Sequence, residues 1–97
     1  MLTITPKIEE YLKQNTDIVL VLPEVIEKIK KYFPENIDLE LELFHDPEDD
    51  SESLILEIVT NENWETIDEI YDKFFDEYWI YKVPLYGSKF SIMTYFV

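Results

Sequence analysis

The reading of Ile18-Val19-Leu20-Val21-Leu22 decides the fold. An uninterrupted, β-branched apolar run of this length suits a buried strand, yet Pro23 directly after it also permits a helical turn leading into a kink. If the run is a strand, residues 17–97 follow the order β-α-β-β-α-β, a ferredoxin-like arrangement. If it is helical, the chain reads α-α-β-β-α-β. Both versions are α+β, with helices packed on one face of a mainly antiparallel sheet of three or four strands.

On the N-terminal side, Pro6–Gln14 reads as a short helix, with Thr5 as N-cap and Pro6 at the first helical position. Ile4, Ile8, Tyr11 and Leu12 fall on one side of it, and Asn15-Thr16-Asp17 breaks the pattern. On the C-terminal side, Val25, Ile26, Ile29, Tyr32 and Phe33 share one arc of a helix that Pro34 ends. Its lysines gather near the C-terminal end, as the helix dipole prefers. Ile37-Asp38-Leu39-Glu40-Leu41-Glu42-Leu43 then alternates with period two, the pattern of a strand with one buried face. A polar loop over residues 46–53 leads to a second strand from Leu54 to Val59, giving a long-looped hairpin. Asn61 or Asn63 can cap a third helix from about Trp64 to Trp79, whose apolar and aromatic residues span a wide arc. Residues 82–89 read as a loop in which Gly87, the only glycine, supplies a turn needing positive φ. Phe90 to Val97 closes the chain as a further strand.

The 97 residues suffice for one domain and are too few for two. With 46% hydrophobic and 15% aromatic residues, the chain can bury a core without metals or disulfides. Twenty-two acids against eight bases leave a net charge of −14. Residues 34–79 hold seventeen acids and only Lys73, a block of −16, which repels phosphate backbones and anionic lipid surfaces and attracts basic proteins. All eight bases are lysine, so the arginine fork that reads guanine edges and phosphates is missing. Binding to nucleic acid or to a membrane is therefore not expected. No apolar run is long enough to span a bilayer, and the start lacks the features of a signal peptide. The lack of cysteine fits a cytoplasmic protein.

A catalytic reading has little to stand on. His45 is the only histidine, and one histidine without cysteine falls short of a closed zinc set. The acidic loop Asp46–Glu52 has no glycine for a calcium-binding turn, so it reads as a solvated hairpin loop. One glycine excludes both the phosphate-binding loop and the dinucleotide fingerprint. No cofactor, metal site or catalytic residue is assigned.

The sticky surface lies elsewhere. One sheet face takes Ile37, Leu39, Leu41 and Leu43 under the helices. The other presents Asp38, Glu40, Glu42 and Phe44, then Ile55, Glu57 and Val59, then Met93, Tyr95 and Val97. Apolar side chains bordered by carboxylates form the pattern of a docking surface, unless the first helix folds over them. Phe75 and Trp79, at the margin of the third helix's arc, are further candidates. The partner-binding set is thus Phe44, Ile55, Val59, Phe75, Trp79, Met93 and Tyr95.

Residues 22–34 (Leu22-Pro23-Glu24 through Tyr32-Phe33-Pro34), Asp46-Pro47, the stretch Asp72-Lys73-Phe74-Phe75-Asp76-Glu77-Tyr78-Trp79, and the closing strand after Gly87 and Lys89 resemble a family of small uncharacterised acidic microbial proteins. Some of these are encoded beside toxin-like genes, notably PIN-type nucleases. The likeness covers about residues 17–97 and leaves out the first helix. Its motifs mark core and turns, and it implies an antitoxin-like or accessory partner. The expected function is thus a non-enzymatic interaction module for a basic protein. The alternatives are a homodimer that buries its own outer sheet face, and an acidic nucleic-acid mimic.

Overall fold

The computed structural model describes residues 2–97. The elements run α1 (Pro6–Gln14), α2 (Thr16–Tyr32), β1 (Asp38–His45), β2 (Glu52–Thr60), α3 (Trp64–Glu77), α4 (Val83–Tyr86) and β3 (Phe90–Phe96), with single 3-10 turns at Trp79–Tyr81 and Gly87–Lys89. The fold is α+β, with the helices on one face of a three-stranded sheet.

Ile18–Leu22 is helical and forms the first part of α2. The buried residues Ile18, Val21, Val25 and Ile29 stand three or four positions apart, so a single helical stripe runs through the apolar run and past Pro23. Leu20 is left 82% exposed, whereas a buried strand would have hidden it. Pro23, three residues on, shares that solvent side, where the Val19 carbonyl that loses its helical N–H partner can meet water. The ferredoxin-like order needed a strand here, so among the described residues the three-stranded version is the one formed. Asn15 joins α1 to α2 by itself: its N–H donates to the Leu12 carbonyl, its side-chain amide donates to the Tyr11 carbonyl, and its own carbonyl accepts from Ile18 N–H.

The sheet order is β1-β2-β3 and the pairing is mixed. β1 and β2 are antiparallel, from Asp38 opposite Val59 to His45 opposite Glu52. β2 and β3 are parallel, from Leu54 beside Phe90 to Thr60 beside Phe96. This corrects the mainly antiparallel expectation. Parallel neighbours need a crossover, and α3 with the turns after it provides one between β2 and β3. Along β2 burial alternates residue by residue, with Leu54, Leu56 and Ile58 fully enclosed under the helices.

Asn63, one of the two caps expected, accepts from Glu65 N–H and starts α3. The helix stops at Glu77, two residues short of the sequence reading. Tyr78 breaks the helical backbone, and the following 3-10 turn swings Trp79 into the core, where it is 2% exposed. Its indole stacks on Tyr86 at 6.2 Å and meets Phe90 edge-on at 5.6 Å. Residues 82–89, expected as a loop, therefore form α4 and a 3-10 turn that carry Tyr86 to this contact. Gly87 has φ +56°, the conformation for which it was singled out.

α1 lies on the helical side and does not cross the outer face: Ile8 and Tyr11 join the common core. The Tyr11 hydroxyl is 2.9 Å from the Lys89 carbonyl and 3.3 Å from that of Glu52, tying the helix to the starts of β3 and β2. Tyr11→Phe is expected to lower stability by about 1 kcal/mol through loss of this bond, with the circular dichroism spectrum unchanged. An unchanged denaturation midpoint would show that the bond does not anchor α1.

Candidate functional site

Because every helix packs beneath the sheet, the upper face is bare. Its residues are set by the period of two. β1 contributes Asp38, Glu40, Glu42 and Phe44; β2 contributes Ser53, Ile55, Glu57 and Val59; β3 contributes Ser91, Met93 and Tyr95. The register arranges them in rows: Glu42, Ile55 and Ser91; Glu40, Glu57 and Met93; Asp38, Val59 and Tyr95. The face is therefore graded from side to side. Three carboxylates line the β1 edge with Phe44 at its end, Met93 and Tyr95 follow Ser91 along the β3 edge, and β2 carries some of each.

Of the seven candidates, five meet on this face. Phe44, Met93 and Tyr95 are 52%, 53% and 54% exposed, while Ile55 and Val59, flanked by strands on both sides, are half-buried. The other two are not with them. Phe75 is half-buried on α3, stacked on Tyr71 at 6.4 Å. Trp79 is a core residue, sealed by Tyr86 and Phe90, and offers nothing to a partner in the folded protein. A helix ending at Glu77 rather than Trp79 accounts for this, since the wheel that placed Trp79 at the margin of α3 no longer applies to it.

The carboxylates interact in a way that residue counting does not show. Glu40 and Glu57 are direct cross-strand partners, a placement that costs energy when both are charged. Glu57 also stands diagonally across from Glu42, so the two carboxyls can join in a hydrogen bond when one of them holds a proton. That bond, partial desolvation and the charges of Glu42 and Glu40 push the Glu57 carboxyl up to about 7. None of the three strands contains a lysine, so no cation on them relieves the repulsion. The acids of the helical layer are differently placed. Glu24 accepts from the Tyr78 hydroxyl at 2.7 Å and lies 3.4 Å from Lys82, contacts that hold its carboxyl below the usual range. Asp17 meets Lys89 at 2.9 Å, with the same effect.

In the hairpin loop, Asp46 and Asp49 accept from the N–H groups of Glu48 and Ser51, and His45 Nε2 lies 2.9 Å from Asp50 Oδ1. Among the described residues no three His, Asp or Glu side chains are grouped to hold a metal ion. Nor is any helix long and apolar enough to cross a membrane. Sequence reasoning also did not single out further exposed apolar residues, Leu20 of α2 and Ile80, Tyr81 and Leu85 of the segment after α3. The helical reading of Ile18–Leu22 was the only signal for Leu20, and the turn that turns Trp79 inward leaves its neighbours Ile80 and Tyr81 outside.

No family model, no curated protein and no solved structure matches the chain.

The Glu57 carboxyl gives a measurable signature. Its folded value lies above the ordinary 4.5, so between these limits the native state holds a proton that the unfolded chain releases. The associated stability is present in full below pH 4.5 and is lost as pH rises through about 7. Screening on an open face reduces the effect to about 1 kcal/mol. Urea unfolding is expected to show this decline between pH 5 and 8, and Glu57→Gln is expected to remove most of it. An equal decline in both proteins would assign it to other groups.

Proposed function

We propose that the protein is a non-enzymatic interaction module that engages a basic protein partner through its outer sheet face. The observation that carries this reading is the grading of the face: a row of unneutralised carboxylates beside exposed Phe44, Met93 and Tyr95, left uncovered by every helix. Buried aromatic and aliphatic anchors supply most of the binding energy at such surfaces, while the charged side selects the partner and speeds encounter. Ile55 and Val59 form the floor between the two. Phe75 and Trp79 have no part in it. The resemblance to proteins encoded beside toxin-like nucleases gives the reading a narrower form, an antitoxin-like or accessory subunit bound to such a protein.

Self-association is the second reading, and one feature favours it. Phe90–Val97 contains no charged residue, so two copies could meet along β3 without opposing like charges. Solution mass separates the two readings. A basic partner retained at low salt and released at high salt, by a protein otherwise monomeric, supports the first; a salt-tolerant dimer supports the second. Tyr95→Ala and Met93→Ala are each expected to weaken the partner complex by about 2 kcal/mol if they are anchors. The Trp64→Ala variant, altered at an exposed residue that begins α3, is expected to bind as the wild type does. Full retention of binding by both outer-face variants would remove the face from the interaction.

A further inference from the structure

β1 is an edge strand of eight residues whose only ladder is with β2. Among the described residues, no hydrogen bond reaches the backbone of residues 38–45 from outside that ladder. The free edge thus presents unpaired N–H and C=O groups, a template for one more strand. What that strand must look like follows from β1's two rows of side chains. Asp38, Glu40 and Glu42 stand on the outer face, and Leu39, Leu41 and Leu43 on the inner. Leu41 is buried, while Leu39 and Leu43 on either side of it are only half-buried. Beside them, between β1 and α2, is an open cleft of about 340 Å³ lined by Leu2, Ile26, Lys30, Ile37, Asp38 and Leu39.

We propose that β1 is the docking edge for an extended segment of the partner in which basic residues alternate with apolar ones, added as a fourth strand. This deepens the proposed function and rests on it. Lysine or arginine at every second position would stand beside Asp38, Glu40 and Glu42 on the outer face. The intervening apolar residues would extend the Leu39–Leu43 row, one of them entering the cleft. Four of the six cleft residues are apolar, and Lys30 and Asp38 carry opposite charges, so an apolar side chain suits the cleft and sets the phase of the alternation. A second copy of β1 is a poor occupant, since it would bring the same acids against one another. β3, the other edge, has no acid to receive a basic strand, and its Ile92 carbonyl already accepts from the Tyr71 hydroxyl.

The test uses two peptides of identical composition, one alternating lysine and valine, the other with all its lysines preceding its valines. The alternating peptide is expected to bind about tenfold more tightly, the worth of several cross-strand charge pairs, and to slow amide exchange in β1. Glu40→Gln with Glu42→Gln, a near-isosteric change on an open face, should reduce that preference. Equal affinities with unaltered β1 exchange would overturn the docking edge while leaving the attraction of the acidic face for basic proteins intact. Failure of both peptides to bind at low salt would overturn the docking edge and the electrostatic half of the proposed function together.

Discussion

Leu54, Leu56 and Ile58 all point from the central strand into the core, and a strand's period of two then obliges Ile55, Glu57 and Val59 to point the other way. Pairing on both sides of β2 propagates this choice. Through the antiparallel ladder it turns the β1 acids outward; through the parallel ladder it turns Met93 and Tyr95 outward. The helices gather where the leucines are. Phe74 from α3 lies at their centre, with Tyr32, Phe33 and Tyr78 around it at ring separations of 5.6–5.8 Å. The helices lie on that one side, and no helix crosses to roof the other.

The bare face is therefore a consequence of the core, and its chemistry is unusual for an exposed sheet. An idle antiparallel face is ordinarily polar, with charges of both signs. This one sets acids against acids on one side and apolar groups on the other, and the charges of Glu42 and Glu40 help push the Glu57 carboxyl up to about 7. Both halves would gain from one kind of visitor: a surface that brings cations to β1 and apolar groups to β3.

Much of this was legible in the sequence where one physical rule dominates. The alternation of Ile37–Leu43 gave β1 its faces, the caps and Pro6 gave α1, and Gly87 marked its turn. The outer-face candidates followed from period alone. Ile18–Leu22 was not decidable locally, because β-branched residues suit a strand and a helical stripe equally well; the docking of Ile18 and Val21 on the core settles it. Trp79 was misplaced because its wheel position assumed an unbroken helix, and the break at Tyr78 depends on tertiary contacts with Glu24 and the Trp79–Tyr86–Phe90 stack. The parallel β2–β3 pair, against the mainly antiparallel expectation, goes with the crossover through α3. The Glu42–Glu57 proton needed register, which no count of acids supplies.

The most direct measurement is the titration of the Glu57 side-chain carboxyl by carbon-13 NMR, in the free protein and after a lysine-rich peptide is added. A value near 7 in the free protein, moving toward the ordinary glutamate value when the peptide's cations cover the face, is the expected result. An elevated value that the peptide leaves unmoved would contradict a face that receives a basic partner, and an ordinary value at the outset would contradict the mutual repulsion of Glu40, Glu42 and Glu57.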